Sequence, residues 1–385
     1  MTRYADRLND IEPFRVVEVL TEAKAMTASG VDVVHMEAGE PDFATAPQII
    51  DAAKAALDEG ATYYTSALGI DALREKVSGL YKKRHGIDVP ASRIIITPGA
   101  SGALLLLSAL LVNPGDGILM ADPGYPCNRN FLRLVEGRGQ LVPVTPSDRY
   151  QLNAENVKAA WQNDSIGALV ASPANPTGEI IPFEELKALY EQVKSLGGSL
   201  IVDEIYHGLT YDCEAPSVLE ITQDAFVINS FSKYFGMTGW RLGWLVAPEE
   251  AIEPLERLAQ NLFISMSTMA QYGALAGFDS DTEALLEQRR DIFKARRDYL
   301  VPELRAIGFS IPNVPDGALY VYAGIEKFGM DSQTFCQKML KEHAVAITPG
   351  ADFGHFESDK HVRFAYTTSM AQLKKGVSRL RNALL

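Results

Sequence analysis

Cysteine is scarce in this 385-residue chain: Cys127, Cys213 and Cys336 are the whole set, and no C-x-x-C pair occurs. An odd, scattered trio excludes a Cys-rich zinc site and a disulfide scaffold, and it fits a reducing compartment. Long apolar runs are missing too. The longest, ALLLLSALLV at 103–112, is about half of what a bilayer-spanning helix needs. The opening residues MTRYADRLND hold no apolar signal core, so a cytoplasmic location is the expectation, with no membrane contact. Positive charge is in deficit: 36 Lys and Arg face 49 Asp and Glu, a net charge of -13. A broad phosphate-binding face needs an excess of Lys and Arg, so a nucleic-acid surface is excluded. Any anion must be met by a few placed cations. Neither internal repeats nor low-complexity segments occur.

What is present is a soluble globular composition, 47% hydrophobic and 22% charged, in a chain long enough for two domains. Five short β-branched or apolar runs end in polar or glycine-rich turns: RIIITPGASG, DGILMADPGYP, GALVASPANPTG, SLIVDEIYHG and AFVINSFSK. Helix-like stretches separate most of them. In FEELKALYEQVKSLGG the apolar positions Phe183, Leu186, Leu189, Tyr190 and Val193 keep a helical period and stop at Gly197-Gly198. Such alternation predicts an α/β fold: a large domain with a mostly parallel sheet flanked by helices, and a smaller α+β domain. After about residue 285 the pattern changes to a long charged helix, short strands around 317–322 and 361–366, and a terminal helix. The expected division is a large domain over 46–285 and a small domain over 286–385, to which the N-terminal segment 1–45 contributes.

In such sheets ligands gather outside the carboxyl ends of the strands, and the chemistry-bearing residues fall there. Lys233 follows a strand in the stretch NSFSKYFGMTGWRLGW, and a partly desolvated lysine beside a cation is a nucleophile toward an aldehyde. Arg241 supplies the cation. With the hydroxyls of Ser230 and Ser232 it could clamp a phosphate, and Gly99-Ala100-Ser101-Gly102, between a strand and a helix, offers backbone N–H groups at a helix N-terminus. An aldehyde-reactive lysine beside a phosphate cradle describes a site for pyridoxal 5'-phosphate. That cofactor's ring nitrogen needs a carboxylate partner, and Asp203 ends an apolar strand. Tyr206 and Asn175 could bond the ring oxygen, and Tyr125 offers a stacking face. No metal is called for.

The chain resembles the class I/II aminotransferases, the fold type I pyridoxal-phosphate enzymes of the aspartate aminotransferase superfamily. The resemblance is carried by EAGEPDF at 37–43, YYTSALG at 63–69, TPGASGAL at 97–104, DPGYP at 122–126, SPANPTG at 172–178, VDEIY at 202–206, SFSKYFGMTGWRLG at 230–243 and HVRFAY at 361–366. It implies an aminotransferase that uses an α-amino acid and a 2-oxo acid in a ping-pong aldimine/ketimine cycle. Lys233 would carry the cofactor, Asp203 pair with its ring nitrogen, and Tyr206 and Asn175 meet its ring oxygen. Tyr125 would stack on the ring, while Ala100, Ser101, Ser230, Ser232 and Arg241 hold the phosphate. The resemblance also implies that Arg363 grips the substrate α-carboxylate beside Gly39 and Asn175. Tyr64 would reach the phosphate of the neighbouring subunit in a homodimer.

The same cofactor site could serve a carbon–sulfur, β-eliminating lyase, the alternative reading. Some relatives that favour dicarboxylic substrates place a lysine where Ser101 stands. A short neutral hydroxyl there points to a neutral or apolar amino acid as donor.

Overall fold

Runs of Ile, Val and Leu without a polar alternation belong to strands covered on both faces. In the computed structural model, which describes residues 3–11 and 13–385, such runs form the largest sheet. Met1, Thr2 and Glu12, inside the expected N-terminal segment, lie outside the described residues. Strand β1 (Val34–His35) belongs elsewhere. The sheet comprises β2 (Ile94–Thr97), β3 (Gly117–Asp122), β4 (Arg138–Pro143), β5 (Ser165–Ala171), β6 (Ser199–Asp203), β7 (Phe226–Ser230) and β8 (Gly243–Val246). Their order is β2-β8-β7-β6-β5-β3-β4, and only β8 runs antiparallel to its neighbours. All five apolar runs singled out in the sequence are strands of this one sheet. Two of its strands gave no such signal: β4 is an edge strand reading RGQLVP with mostly half-exposed residues, and β8 has only four residues.

Helices cover the sheet. The leucine-rich run at 103–112 lies almost wholly in the helix Gly99–Leu111, whose Ala103, Leu104, Leu106 and Leu107 are buried. One side packs on β7 and β8 and another on the helix Glu249–Leu262, which is why it is apolar nearly all round. Each fully buried leucine there contributes about 1.5–3 kcal/mol relative to exposure. The helix Phe183–Ser195 buries Leu186, Leu189 and Val193. It ends just before Gly197, whose φ of 77° is a left-handed conformation that costs glycine little. No helix among the described residues is long and apolar enough to cross a membrane.

The charged run after 285 is part of a 28-residue helix, Ser280–Ile307, which stops at Gly308 with φ 116°. Beyond it come β9 (Tyr320–Gly324), β10 (Val345–Ala346), β11 (Thr348–Pro349), β12 (His361–Ala365) and the terminal helix Met370–Leu384. The order β11-β12-β9 makes an antiparallel sheet, and β10 pairs in parallel with β1. The strand expected around 317–322 starts later, at Tyr320, because Gly317 forms an isolated bridge to Thr210 instead. Arg363 and Tyr322 are opposed in register, as are Ala365 and Tyr320, so Tyr320 and Arg363 share one face of this sheet. That face closes over the carboxyl ends of β5, β6 and β7.

Candidate active site

The helix Gly99–Leu111 has no side-chain cap at its N-terminus, so its first-turn N–H groups point outward unbonded by any capping side chain. Gly99 adopts φ 70°, and a Cβ there would fall 2.4 Å from Nη2 of Arg241. The guanidinium therefore lies directly against the opening of the helix. Gly243 on β8 permits the approach from below: a Cβ would stand 2.8 Å from the Gly99 carbonyl carbon and 3.0 Å from the Ala100 nitrogen. Arg241 donates from Nη1 to the Thr238 carbonyl at 3.1 Å and reaches Ser232 Oγ at 3.5 Å. Ser230 Oγ lies 3.0 Å from Ser232 Oγ. A cation, two hydroxyls and a helix N-terminus thus converge, a combination that suits an anion.

The other end of the cleft is built by β6, β7 and β12. Asp203 terminates β6 and is 6% exposed, and its Oδ1 accepts from the Ile205 N–H at 3.0 Å. Burial pushes its carboxyl up to about 7, against the pull of that N–H and of Lys233. Lys233 donates from Nζ to the Gly39 carbonyl at 2.6 Å and lies 6.0 Å from the centre of the Tyr206 ring. Tyr206 is buried, and its hydroxyl is 2.8 Å from that of Tyr320. Burial and the neighbouring Tyr320 raise its pKa well above the ordinary value, which keeps the phenol protonated. Arg363, 2% exposed, donates to Asn175 Oδ1 at 2.9 Å and to the Glu37 carbonyl at 2.7 Å. Its Nε is buried without a partner. The rings of Tyr320 and Phe353 flank the guanidinium at 4.2 and 4.7 Å.

One cleft of about 220 Å³ is lined by Gly39, Ala100, Ser101, Tyr125, Asn175, Asp203, Tyr206, Ser230, Ser232, Lys233, Arg241 and Arg363 together. Of the residues expected to contact cofactor or substrate through their side chains, Tyr64 stands apart, 80% exposed and outside the cleft. Phe14 and Val16, from the segment around 11–20 where a pocket wall is expected from the sequence without its facing, also line the cleft, as do Thr238 and Tyr320, to which no motif gave a role. Phe14 and Val16 flank the start of the helix Arg15–Ala28, whose first N–H groups are held by Asp352, at 2.9 Å from Arg15 and 3.4 Å from Val16. No local motif signals a contact made across more than 330 residues. Tyr320 sits in an apolar strand, GALYVY, where it reads as core.

The family description "Aminotransferase class I and II" matches residues 31–380. The chain belongs to that family. A (5-formylfuran-3-yl)methyl phosphate transaminase of Methanocaldococcus jannaschii is 36% identical over 381 residues, 98% of each chain. A valine–pyruvate aminotransferase of Mycobacterium tuberculosis is 36% identical over 372 residues, 96% of each chain. A solved aminotransferase from Mycobacterium tuberculosis superposes with a TM-score of 0.96 at 36% identity, covering 100% of this chain and 99% of that one. The protein is an aminotransferase with the α/β architecture expected from its sequence.

Members of this family use pyridoxal phosphate, and the cleft of this aminotransferase fits that group. The space that a Cβ at Gly99 would take is held for Arg241 beside uncapped helix N–H groups. Asp203 is a buried carboxyl with a single N–H donor, pushed up to about 7, and a cation beside it favours its charged form. A phosphate at one end and a basic ring nitrogen at the other meet both demands.

The raised carboxyl has a consequence for the cofactor-free protein. From the ordinary carboxylate range near 3.8 up to about pH 7 the unfolded chain releases the Asp203 proton while the native state retains it. Native stability therefore falls with rising pH across that window and levels off above it. Glu204 and Glu179, pushed up to about 8 and about 7 by burial, act in the same sense and are common to any Asp203 variant. Stripped of cofactor, Asp203→Asn is expected to melt above the parent at pH 8 and no higher at pH 4. Equal melting temperatures at pH 8 would contradict this.

Proposed function

We propose that this aminotransferase moves the amino group of a neutral or apolar α-amino acid to a 2-oxo acid in two half-reactions. Pyridoxal phosphate would be held in the cleft, and the protein would work as a homodimer. The observation that carries the donor class is the set of cations. Among the described residues lining the cleft these are Lys233, Arg241 and Arg363, and each has a task at the cofactor or the α-carboxylate. An acidic substrate side chain would lose water without gaining a partner, at a cost of several kcal/mol. The wall that remains includes Phe14, Val16, Leu104 and Ile205. The Mycobacterium tuberculosis relative named for valine and pyruvate agrees with a donor of this kind.

Bound pyridoxal phosphate supplies an aldehyde that takes up amines and a protonated ring that accepts the electron pair of the substrate's α-carbon. Ala100 and Ser101 N–H groups, the Ser230 and Ser232 hydroxyls and Arg241 hold the phosphate. Asp203, ionised once a cation meets it, keeps the ring nitrogen protonated. Tyr206 donates its phenol proton to the ring oxygen. Asn175 spends its Oδ1 on Arg363, which leaves its Nδ2 hydrogens for that same oxygen. Tyr125 stacks on the ring, and its edge contact with Phe14, centroids 6.2 Å apart, ties this wall to the N-terminal helix. Arg363 offers its unpaired Nε to the substrate α-carboxylate beside Gly39. Lys233 Nζ would be the base that carries the proton from the substrate's α-carbon. Its hydrogen bond to the Gly39 carbonyl holds the amine beside the cleft meanwhile.

Tyr64 reaches out of its own chain at 80% exposure, with Tyr63 at 83%, and a second copy of the chain is the partner that would receive it. Sedimentation at micromolar concentration is expected to give an active species of twice the chain mass. Full activity in a species of one chain would overturn the shared site.

Donor class is read from single-turnover half-reactions with leucine, alanine and aspartate. The expected specificity constant for leucine or alanine exceeds that for aspartate by about tenfold or more, an uncompensated charge being worth at least 1.4 kcal/mol. A preference for aspartate would refute the neutral-donor reading.

A further inference from the structure

Tyr320 touches both Tyr206 and Arg363 in the cleft yet has no role among those assigned above. We propose that Tyr320 is a positioning residue of the transamination: its hydroxyl orients the phenol of Tyr206, and its ring seats the guanidinium of Arg363. The proposal rests on the reading that Tyr206 faces the cofactor and Arg363 the substrate carboxylate.

Four observations carry it. The hydroxyls of Tyr320 and Tyr206 are 2.8 Å apart, and the two rings meet edge to face with centroids 5.8 Å apart. The same Tyr320 hydroxyl stands 3.5 Å from the Gly39 carbonyl, which Lys233 Nζ bonds at 2.6 Å. The Arg363 guanidinium lies 4.2 Å from the centre of the Tyr320 ring. Finally, a Cβ on Gly39 would fall 2.0 Å from the Tyr320 hydroxyl, so the glycine leaves the space that this oxygen fills. Tyr320 is 2% exposed and fixed in β9, opposite β12, which bears Arg363.

The physical effects separate by atom. With the Tyr206 proton directed at the cofactor's ring oxygen, Tyr206 can only accept from Tyr320, whose single proton then goes to Tyr206 rather than to the more distant Gly39 carbonyl. This makes the Tyr206 phenol a stronger donor, since chained hydrogen bonds polarise one another. A stronger donor stabilises the negative ring oxygen of the cofactor and so lowers the proton affinity of the nitrogen that joins it to Lys233. The ring face, by contrast, acts on the guanidinium through a water-excluded cation–π contact and fixes the plane in which a carboxylate can be gripped.

Two variants and two readouts other than turnover test this. The first readout is the pH midpoint of the visible absorbance of the lysine-bound cofactor. The second is the Kd of 3-methylbutanoate, an amine-free carboxylate. Tyr320→Phe keeps the ring and is expected to raise the midpoint by about one pH unit while changing the Kd less than about twofold. Tyr320→Leu removes the ring as well and is expected to weaken 3-methylbutanoate about tenfold. An unmoved midpoint in Tyr320→Phe overturns the proposal, as does an unmoved Kd in Tyr320→Leu. A parent protein with no titrating absorbance and no 3-methylbutanoate binding would overturn the reading of the site itself, and the proposal with it.

Discussion

The carboxyl of Asp203 is pushed up to about 7 because burial outweighs the pull of a single N–H and of Lys233, so a cation set against it is the group that favours its charged form. Strand β6 delivers it to the floor of the cleft with no freedom to turn toward water. The neighbouring parts answer to the same constraint. Lys233 is bonded to the Gly39 carbonyl rather than to the carboxylate, so it acts on Asp203 through its charge alone. A basic ring nitrogen is the kind of group that supplies such a cation, and the phosphate cradle lies at the other end of the same cleft.

That cleft is assembled from parts of the chain that share no local structure. The large sheet contributes the ends of β5, β6 and β7, where crossover topology gathers strand termini. The β9–β12 pair contributes Tyr320 and Arg363 on one face. The segment containing Gly39 runs between them: Arg363 donates to the Glu37 carbonyl, Thr367 to the Ala38 carbonyl at 2.6 Å, and Lys233 to the Gly39 carbonyl. Three successive carbonyls thereby tie Arg363 to Lys233. Buried polar groups of this kind cost free energy unless bonded, which gives the segment one well-defined path.

The sheet was legible because strands buried on both faces must be apolar throughout, and their polar terminations, SPANPTG, VDEIY and SFSK, stood out against those runs. Residues acting at strand ends were visible for the same reason. Legibility failed where contacts are long-range. The segment around 11–20 is expected to wall the pocket, but that Phe14 and Val16 face it depends on Asp352 holding the start of their helix, which no neighbouring residue announces. Tyr320 was hidden by its surroundings, since an aromatic in a buried strand reads as packing until a second hydroxyl is found 2.8 Å away. β4 escaped notice because edge strands tolerate Arg and Gln. The expectation for Tyr64 rests on resemblance alone, for nothing within one chain gives an exposed tyrosine a partner.

Central to the whole account is that one lysine, Lys233, bonds the cofactor. Borohydride reduction of the protein loaded with pyridoxal phosphate, followed by proteolysis and mass mapping, tests this directly. The account predicts a stable phosphopyridoxyl group on the peptide containing Lys233 and, in Lys233→Ala, no labelled peptide at all. A label of equal yield on another lysine, or undiminished labelling in the variant, would contradict it.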